Sequence, residues 1–282
     1  MVSVTSRPWR GYEDLPALQS LALEAHRLEG RRATWHVGDV AWGLRQHAGR
    51  EHEWQIRLWE DGDRVVAWSW LRMNRATLDH LVHPEYSALL DDVLDEPDAR
   101  EAFALEDDRE TVVALARHGF TRRGEAMDLN ARDVGEPPAV PALPDGFRLR
   151  SVEPGDLAER VAVHRDVWAP SRVTEESYAN VMRAWPYRPS LDCVVEAPDG
   201  RFAAYCLLWP DDENGVGELE PVGTRQEFRG RGFGAAVCVF ALRRWYDEGG
   251  RQAIVYCVTD PARALYRSLG FECHTAVVGF AR

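Results

Sequence analysis

The chain repeats its own punctuation. Gly62, within Asp61-Gly62-Asp63, and Gly200, within Pro198-Asp199-Gly200, each separate two runs that read as strands, and they lie 138 residues apart. His118-Gly119-Phe120 and Leu269-Gly270-Phe271 form a second matching pair, 151 residues apart. An offset that drifts so little implies a duplicated domain with insertions, which confines the fold to two copies of one plan. The 282 residues suit two domains of about 140 residues each.

The plan is the same in both halves. In the first, residues 12–28 and 38–47 have helical patterns, followed by strands 54–60 and 64–71 around Gly62. The second begins with a short strand at 147–150, continues with helices at 154–169 and 173–185, and reaches strands 193–197 and 202–209 around Gly200. Thr174 is the expected N-cap of the 173–185 helix, and Pro186 lies beyond its end. Residues 130–146 hold four prolines and two glycines without periodicity, as a linker does. The expected division is 1–134, a linker at 135–146, and 147–282.

Composition removes several chemistries. None of the 34 basic residues is lysine, which excludes a Schiff-base lysine, a Walker A lysine and a lysine general base. Any acid or base must be Glu, Asp, His, Tyr or Cys. The net charge of -12 argues against nucleic acid as a partner and weakly favours a cationic small molecule. No apolar run approaches the roughly 18 residues of a membrane span, and the first residues lack the apolar core of a signal peptide, so no membrane partner and a cytoplasmic location are expected. Five cysteines without a Cys-x-x-Cys, and nine histidines without metal-binding spacing, predict reduced thiols and no metal.

The second half carries the chemistry. A strand at 218–224 leads into Arg225-Gln226-Glu227-Phe228-Arg229-Gly230-Arg231-Gly232-Phe233-Gly234 and then a helix at 235–246. Glycines at a strand-to-helix junction let successive N–H groups turn inward at a helix N-terminus, where the dipole favours an anion. With Arg225, Arg229 and Arg231 adding charge, a diphosphate is the natural guest. On the strand before the loop, Glu218 and Glu220 stand two apart and therefore share a face.

These residues resemble the GCN5-related N-acetyltransferase (GNAT) superfamily. Arg229-x-x-Gly232-x-Gly234 matches its Arg/Gln-x-x-Gly-x-Gly/Ala signature. Asp260 to Phe271 (DPARALYRSLGF) resembles its Asn-x-x-Ala-x-x-Leu-Tyr-x-x-x-Gly-Phe, with Thr259 where the asparagine usually stands. The resemblance implies an α/β (α+β) fold of two tandem GNAT-like domains, each a mixed, mostly antiparallel sheet flanked by helices. It also implies acetyl-CoA as co-substrate. The pyrophosphate would lie on Arg229, Gly230, Arg231, Gly232, Phe233, Gly234 and Ala235, the pantetheine arm on the strand backbone at Val222, Gly223 and Thr224, with Thr259 and Ala262 on the coenzyme side. Glu218 or Glu220 would be the general base, and Tyr266, on a helix capped by Asp260, the general acid. The acceptor would be the primary amine of a small molecule, attacking directly in a ternary complex.

The first half lacks these equivalents. His83-Pro84-Glu85-Tyr86-Ser87-Ala88-Leu89-Leu90 stands in place of the loop, no glycine occurs between Gly62 and Gly119, and Leu115 matches Tyr266. Ten acidic residues against two arginines between Asp91 and Glu110 oppose a diphosphate. This half reads as a degenerate domain that shapes or covers the acceptor site. Its tryptophans, Trp35, Trp42, Trp54, Trp59, Trp68 and Trp70, read as core and interdomain packing, with an aromatic acceptor pocket as the alternative. The histidines read as structural or exposed. A longer acyl-CoA, or a CoA-binding sensor or scaffold without catalysis, stays open.

Overall fold

The computed structural model describes residues 4–282, apart from the side chains of Glu125 and Ala126. The first half runs β1 (Thr5–Pro8), α1 (Leu15–Glu29), α2 (Val37–Arg45), β2 (Trp54–Asp61), β3 (Arg64–Arg72), β4 (Thr77–Val82), α3 (Leu90–Leu94), β5 (Glu101–Leu105), α4 (Arg109–Arg117) and β6 (Thr121–Asp133). The second runs β7 (Arg148–Ser151), α5 (Leu157–Val167), α6 (Glu175–Met182), β8 (Asp192–Glu196), β9 (Phe202–Asp211), β10 (Val216–Thr224), α7 (Phe233–Asp247), β11 (Gln252–Cys257), α8 (Asp260–Ser268) and β12 (Glu272–Ala281). Residues 134–147 contain no helix or strand.

The repeat holds in three dimensions. Gly62 and Gly200 adopt φ of +64° and +84°, and Gly119 and Gly270 of +81° and +79°, so each marker glycine turns the chain through the same left-handed region as its counterpart. Each half has one parallel strand pair, β4 with β5 and β10 with β11, in otherwise antiparallel surroundings.

All strands join one sheet, in the order β1-β2-β3-β4-β5-β12-β6-β11-β10-β9-β8-β7. The last strand of each half is inserted into the other. β12 pairs with β5 and β6, while β6 pairs with β12 and β11, all antiparallel. Both exchanged strands thus have partners along both edges, and neither sheet centre is left with unpaired N–H and C=O groups.

β9 is buried along its whole length because α7 covers one face and α5 and α2 the other. The latter contact crosses between halves: Trp42 of α2 packs in one cluster with Val161, Tyr178, Leu207 and Trp209. Gly38, in the first turn of α2, makes this approach possible. A Cβ there would lie 2.3 Å from the Trp209 Cβ, so any side chain would push the helix off the sheet. Arg172 adds a two-pronged ion pair to Glu53 at 2.9 and 2.7 Å across the same junction.

Candidate active site

β10 parts from β11 partway along. The two pair from Val216↔Gln252 to Glu218↔Ile254 and no further, whereas Val222, Gly223 and Thr224 remain paired with Cys206, Tyr205 and Ala204 of β9. An irregularity between Leu219 and Val222 accompanies the divergence, as bulges do by bending a strand. The edge of β10 at Val222–Thr224 that faces β11 is therefore open to an extended guest.

Beyond Thr224 the chain turns into α7. Gly230 and Gly232 adopt φ of +73° and +80°, where other residues cost roughly 1–2 kcal/mol. Gly232 caps α7, so the first N–H groups of Phe233, Gly234 and Ala235 lack intrahelical acceptors. A Cβ on Gly234 would stand 3.0 Å from the Thr224 hydroxyl, which closes that approach to larger residues. The Phe233 ring is buried in the core, so this residue can offer a ligand little but its backbone. Arg229 is exposed and donates from Nε to the Thr224 carbonyl at 3.2 Å, while the Arg231 guanidinium lies 4.8 Å over Phe147 and 4.9 Å over Phe233. Arg225 departs from expectation. It is buried between Asp166 (2.7 Å) and Glu159 (2.6 Å), so the loop offers two arginine charges, not three.

The start of α8 also differs in detail. Thr259, not Asp260, is its N-cap, with the hydroxyl accepting the Ala262 N–H at 3.4 Å. Tyr266 follows on the buried side of the helix, edge-on to Phe271 at 5.7 Å, and its hydroxyl hydrogen-bonds no other described residue. Burial, then the thiols of Cys238 and Cys206 and the charge of Glu220, holds this phenol well above its ordinary range. It keeps its proton at neutral pH.

Glu218 is fully buried, and neither carboxylate oxygen has a hydrogen-bond donor among the described protein groups. His36 Nδ1 stands 3.3 Å from Glu218 Oε2 but cannot donate, because that nitrogen already accepts the Gly38 N–H at 3.0 Å. Asp39 accepts the His36 N–H at 2.9 Å in the capping box of α2, and its carboxyl abuts Glu218. Burial and the proximity of like charges push all three acids up: Glu218 (beside Glu220) and Glu220 (beside Asp39) to about 8, and Asp39 (beside Glu218) well above its usual range. A proton held between Asp39 and Glu218 supplies the hydrogen bond that the protein otherwise leaves unmade. Such a cluster favours its protonated forms near neutrality, and an approaching cation would favour release of a proton.

A cavity of about 480 Å³ extends from these acids into the first half. There β4 and β5 pair only at Thr77↔Glu101 and Leu78↔Ala102 before separating, as β10 and β11 do. Glu218, Glu220 and Tyr256 line it from the second half; Trp35, Asp39 and the two separating strands line it from the first. A second recess of about 320 Å³, bordered by Trp42, His164, Trp168 and Arg172, also reaches Glu220. Glu220 is the side chain common to both.

Two residues at this site carry no local signal. Asp39 looks like a helix-start acid, and its capping bond is indeed made; that it also meets Glu218 depends on α2 crossing to the other half. His36, expected to be structural or exposed, is buried against Glu218. Most tryptophans pack as expected, with Trp42, Trp59, Trp68 and Trp70 buried, while Trp35 lines the cavity. In the first half, the Glu85 N–H that could have faced an anion is taken by His83 Nδ1 at 3.1 Å, and Leu115 is fully buried.

The GNAT acetyltransferase family model matches residues 160–271. The mycothiol acetyltransferase of Saccharomonospora viridis is 28% identical over 228 residues, 74% of each chain. That of Streptomyces coelicolor is 26% identical over 288 residues, covering 93% of this chain and 89% of its own. Three further proteins of that name align over 52% to 61% of their own length. In fold, the chain is similar to a tandem GNAT protein from the clavulanic acid biosynthesis pathway, with a TM-score of 0.66, 19% identity, and 99% and 98% of the two chains covered. The signature loop in one half and the same plan without it in the other thus meet in one reading: residues 160–271 belong to the GNAT acetyltransferase family, in a chain whose overall fold is that of a tandem GNAT protein.

Proposed function

We propose that the protein transfers acetyl from acetyl-CoA to the primary amine of a small molecule, neutral or cationic overall, by direct attack in a ternary complex. The observation that carries this reading is the juxtaposition of an open strand edge along β10 with two raised carboxyls, Glu218 and Glu220, that line a cavity bordered by both halves. The glycine loop and the N-terminus of α7 would hold the pyrophosphate, and the open strand edge at Val222–Thr224 the pantetheine arm. Thr259 and Ala262 would flank it.

An alkylamine has a pKa near 10 and arrives as ammonium. A carboxyl with a pKa near 8, charged once the ammonium enters, is better matched to accept that proton than an ordinary glutamate. The freed amine attacks the thioester carbonyl, the C–S bond breaks, and Tyr266 gives its proton to the departing thiolate and is reprotonated by the proton that the attacking nitrogen loses. A small-molecule acceptor accords with the mycothiol acetyltransferases among the relatives. The test is release of free thiol from acetyl-CoA across a panel of amines: turnover of cationic amines, weakened by salt, is expected. Preference for anionic acceptors, or no turnover of any amine, would overturn it.

A further inference from the structure

The cavity is lined by two groups of acids that differ in burial. Asp39, Glu218 and Glu220 form the inner group. The more exposed group is Glu29, at the end of α1, and the half-buried Asp108, the N-cap of α4; both line the cavity, and the charge of Asp108 acts on Glu29. Leu78, Phe103 and Leu105, from the separating strands β4 and β5, line the same cavity. The lining thus combines two groups of acids with apolar side chains.

Little basic charge offsets it. Arg32 is the single arginine on the wall; it is paired with Asp107, and its charge also reaches Glu29. Glu218, fully buried and with no hydrogen-bond partner beyond the proton it shares with Asp39, keeps acceptor capacity toward the cavity. The space itself is the strand opening that in the second half we assign to the coenzyme arm. In the first half it has no glycine loop to hold a diphosphate, and its acids repel one.

From this we infer that the acceptor is an elongated amine with a second cationic group remote from the reacting nitrogen, and that the β4–β5 opening of the degenerate half binds that distal cation at Glu29 and Asp108. The inference rests on the proposed acetyl transfer for its inner end, and on the first half alone for its outer end. A methylene chain would lie along Leu78, Phe103 and Leu105 while the two ammonium groups reach the two acid groups. Trp35 also lines the cavity and adds an aromatic ring to its wall.

The experiment compares α,ω-diamines with monoamines and amino alcohols of equal length, by thiol release and by calorimetric binding to the intact protein. We expect kcat/KM for the best diamine to exceed that of its matched monoamine by about 10- to 100-fold, corresponding to about 1.4–2.7 kcal/mol. Glu29→Gln with Asp108→Asn should erase that advantage and leave monoamine turnover within about twofold, since asparagine caps a helix as well as aspartate does. Equal diamine and monoamine values, or an advantage that survives the double substitution, would overturn the inference while leaving acetyl transfer intact. Diamine binding that the double substitution weakens, without turnover of any amine, would uphold the distal site and remove the proposed reaction. Absence of diamine binding altogether would overturn the inference.

Discussion

Glu218 and Glu220 owe their unusual acidity to position, since a glutamate in water titrates near 4.3. The sign of the effect on catalysis follows. A base must be deprotonated, so kcat/KM should rise with pH through an apparent value near 8 that belongs to the coupled cluster more than to one residue. Replacing either glutamate by glutamine should lower kcat/KM, and the pH–rate profile of the remaining activity should lose that step; an unchanged profile in both variants would remove them as bases. The stability effect runs the other way. Carboxyls whose folded-state values are raised from 4.5 to about 8 contribute stability that is full below about 4.5 and is lost as pH climbs through 8. The Glu218→Gln/Glu220→Gln double variant should therefore show a flatter fall of Tm between pH 5 and 9, measured by thermal scans. Tyr266→Phe should lower kcat by roughly 10- to 1000-fold, as expected for loss of a general acid whose thiolate leaving group can depart partly unaided, with coenzyme affinity nearly unchanged.

At the scale of elements, two short segments position the chemistry. The turn from β10 into α7 places backbone N–H groups, and its Gly230 and Gly232 conformations are specified by residues beside them. Arg229→Glu with Gly232→Asp puts two negative charges at the helix N-terminus and strains the αL position. Calorimetry should find one acetyl-CoA per chain in the native protein and none in this variant. Two equivalent sites would show that the first half also binds coenzyme. The other segment is the start of α2, where Gly38 admits Trp209 and the next residue, Asp39, meets Glu218. Gly38→Ala should destabilise by about 1–3 kcal/mol through overpacking, read from the denaturant midpoint. It should also lower kcat/KM, because displacing α2 moves Asp39 away from the acid pair.

Over the whole molecule, the exchange of β6 and β12 makes each half complete only with the other. Removing residues 147–282 would expose both the β5 edge and the β6 edges, and removing 1–134 would strand β11 and β12 without β6 between them. We propose that the linker near residue 140 divides the sequence but not the folding unit. The intact chain should unfold in one cooperative calorimetric transition, and either half expressed alone should lack native near-UV circular dichroism. Two separate transitions, or a well-folded half, would count against this. The uneven charge acts on the same scale: residues 1–140 hold 26 acids against 17 arginines. Part of that excess, Asp79, Asp108 and Glu110, lines the cavity.

What the sequence determined by itself was whatever depends on near neighbours. The turn glycines, the Thr174 cap, the strand-loop-helix around Gly232 and the shared face of Glu218 and Glu220 all follow from φ preferences and periodicities within a few residues. The duplication was legible for the same reason, since each copy keeps its local punctuation. The exchanged strands were not, because β6 and β12 satisfy the same local pattern whether they pair within a half or across halves. Arg225 illustrates the limit: its charge suggests an anion site, and its partners Glu159 and Asp166, supplied by α5, remove it from the loop. Asp39 and His36 enter the site only because the apolar face of α2 is buried against β9 of the other half. Burial then acts on them and on Glu218 together. Their proton affinities, and with them the chemistry proposed here, arise from desolvation and like-charge contact between residues far apart in the chain, which only the tertiary structure brings within reach.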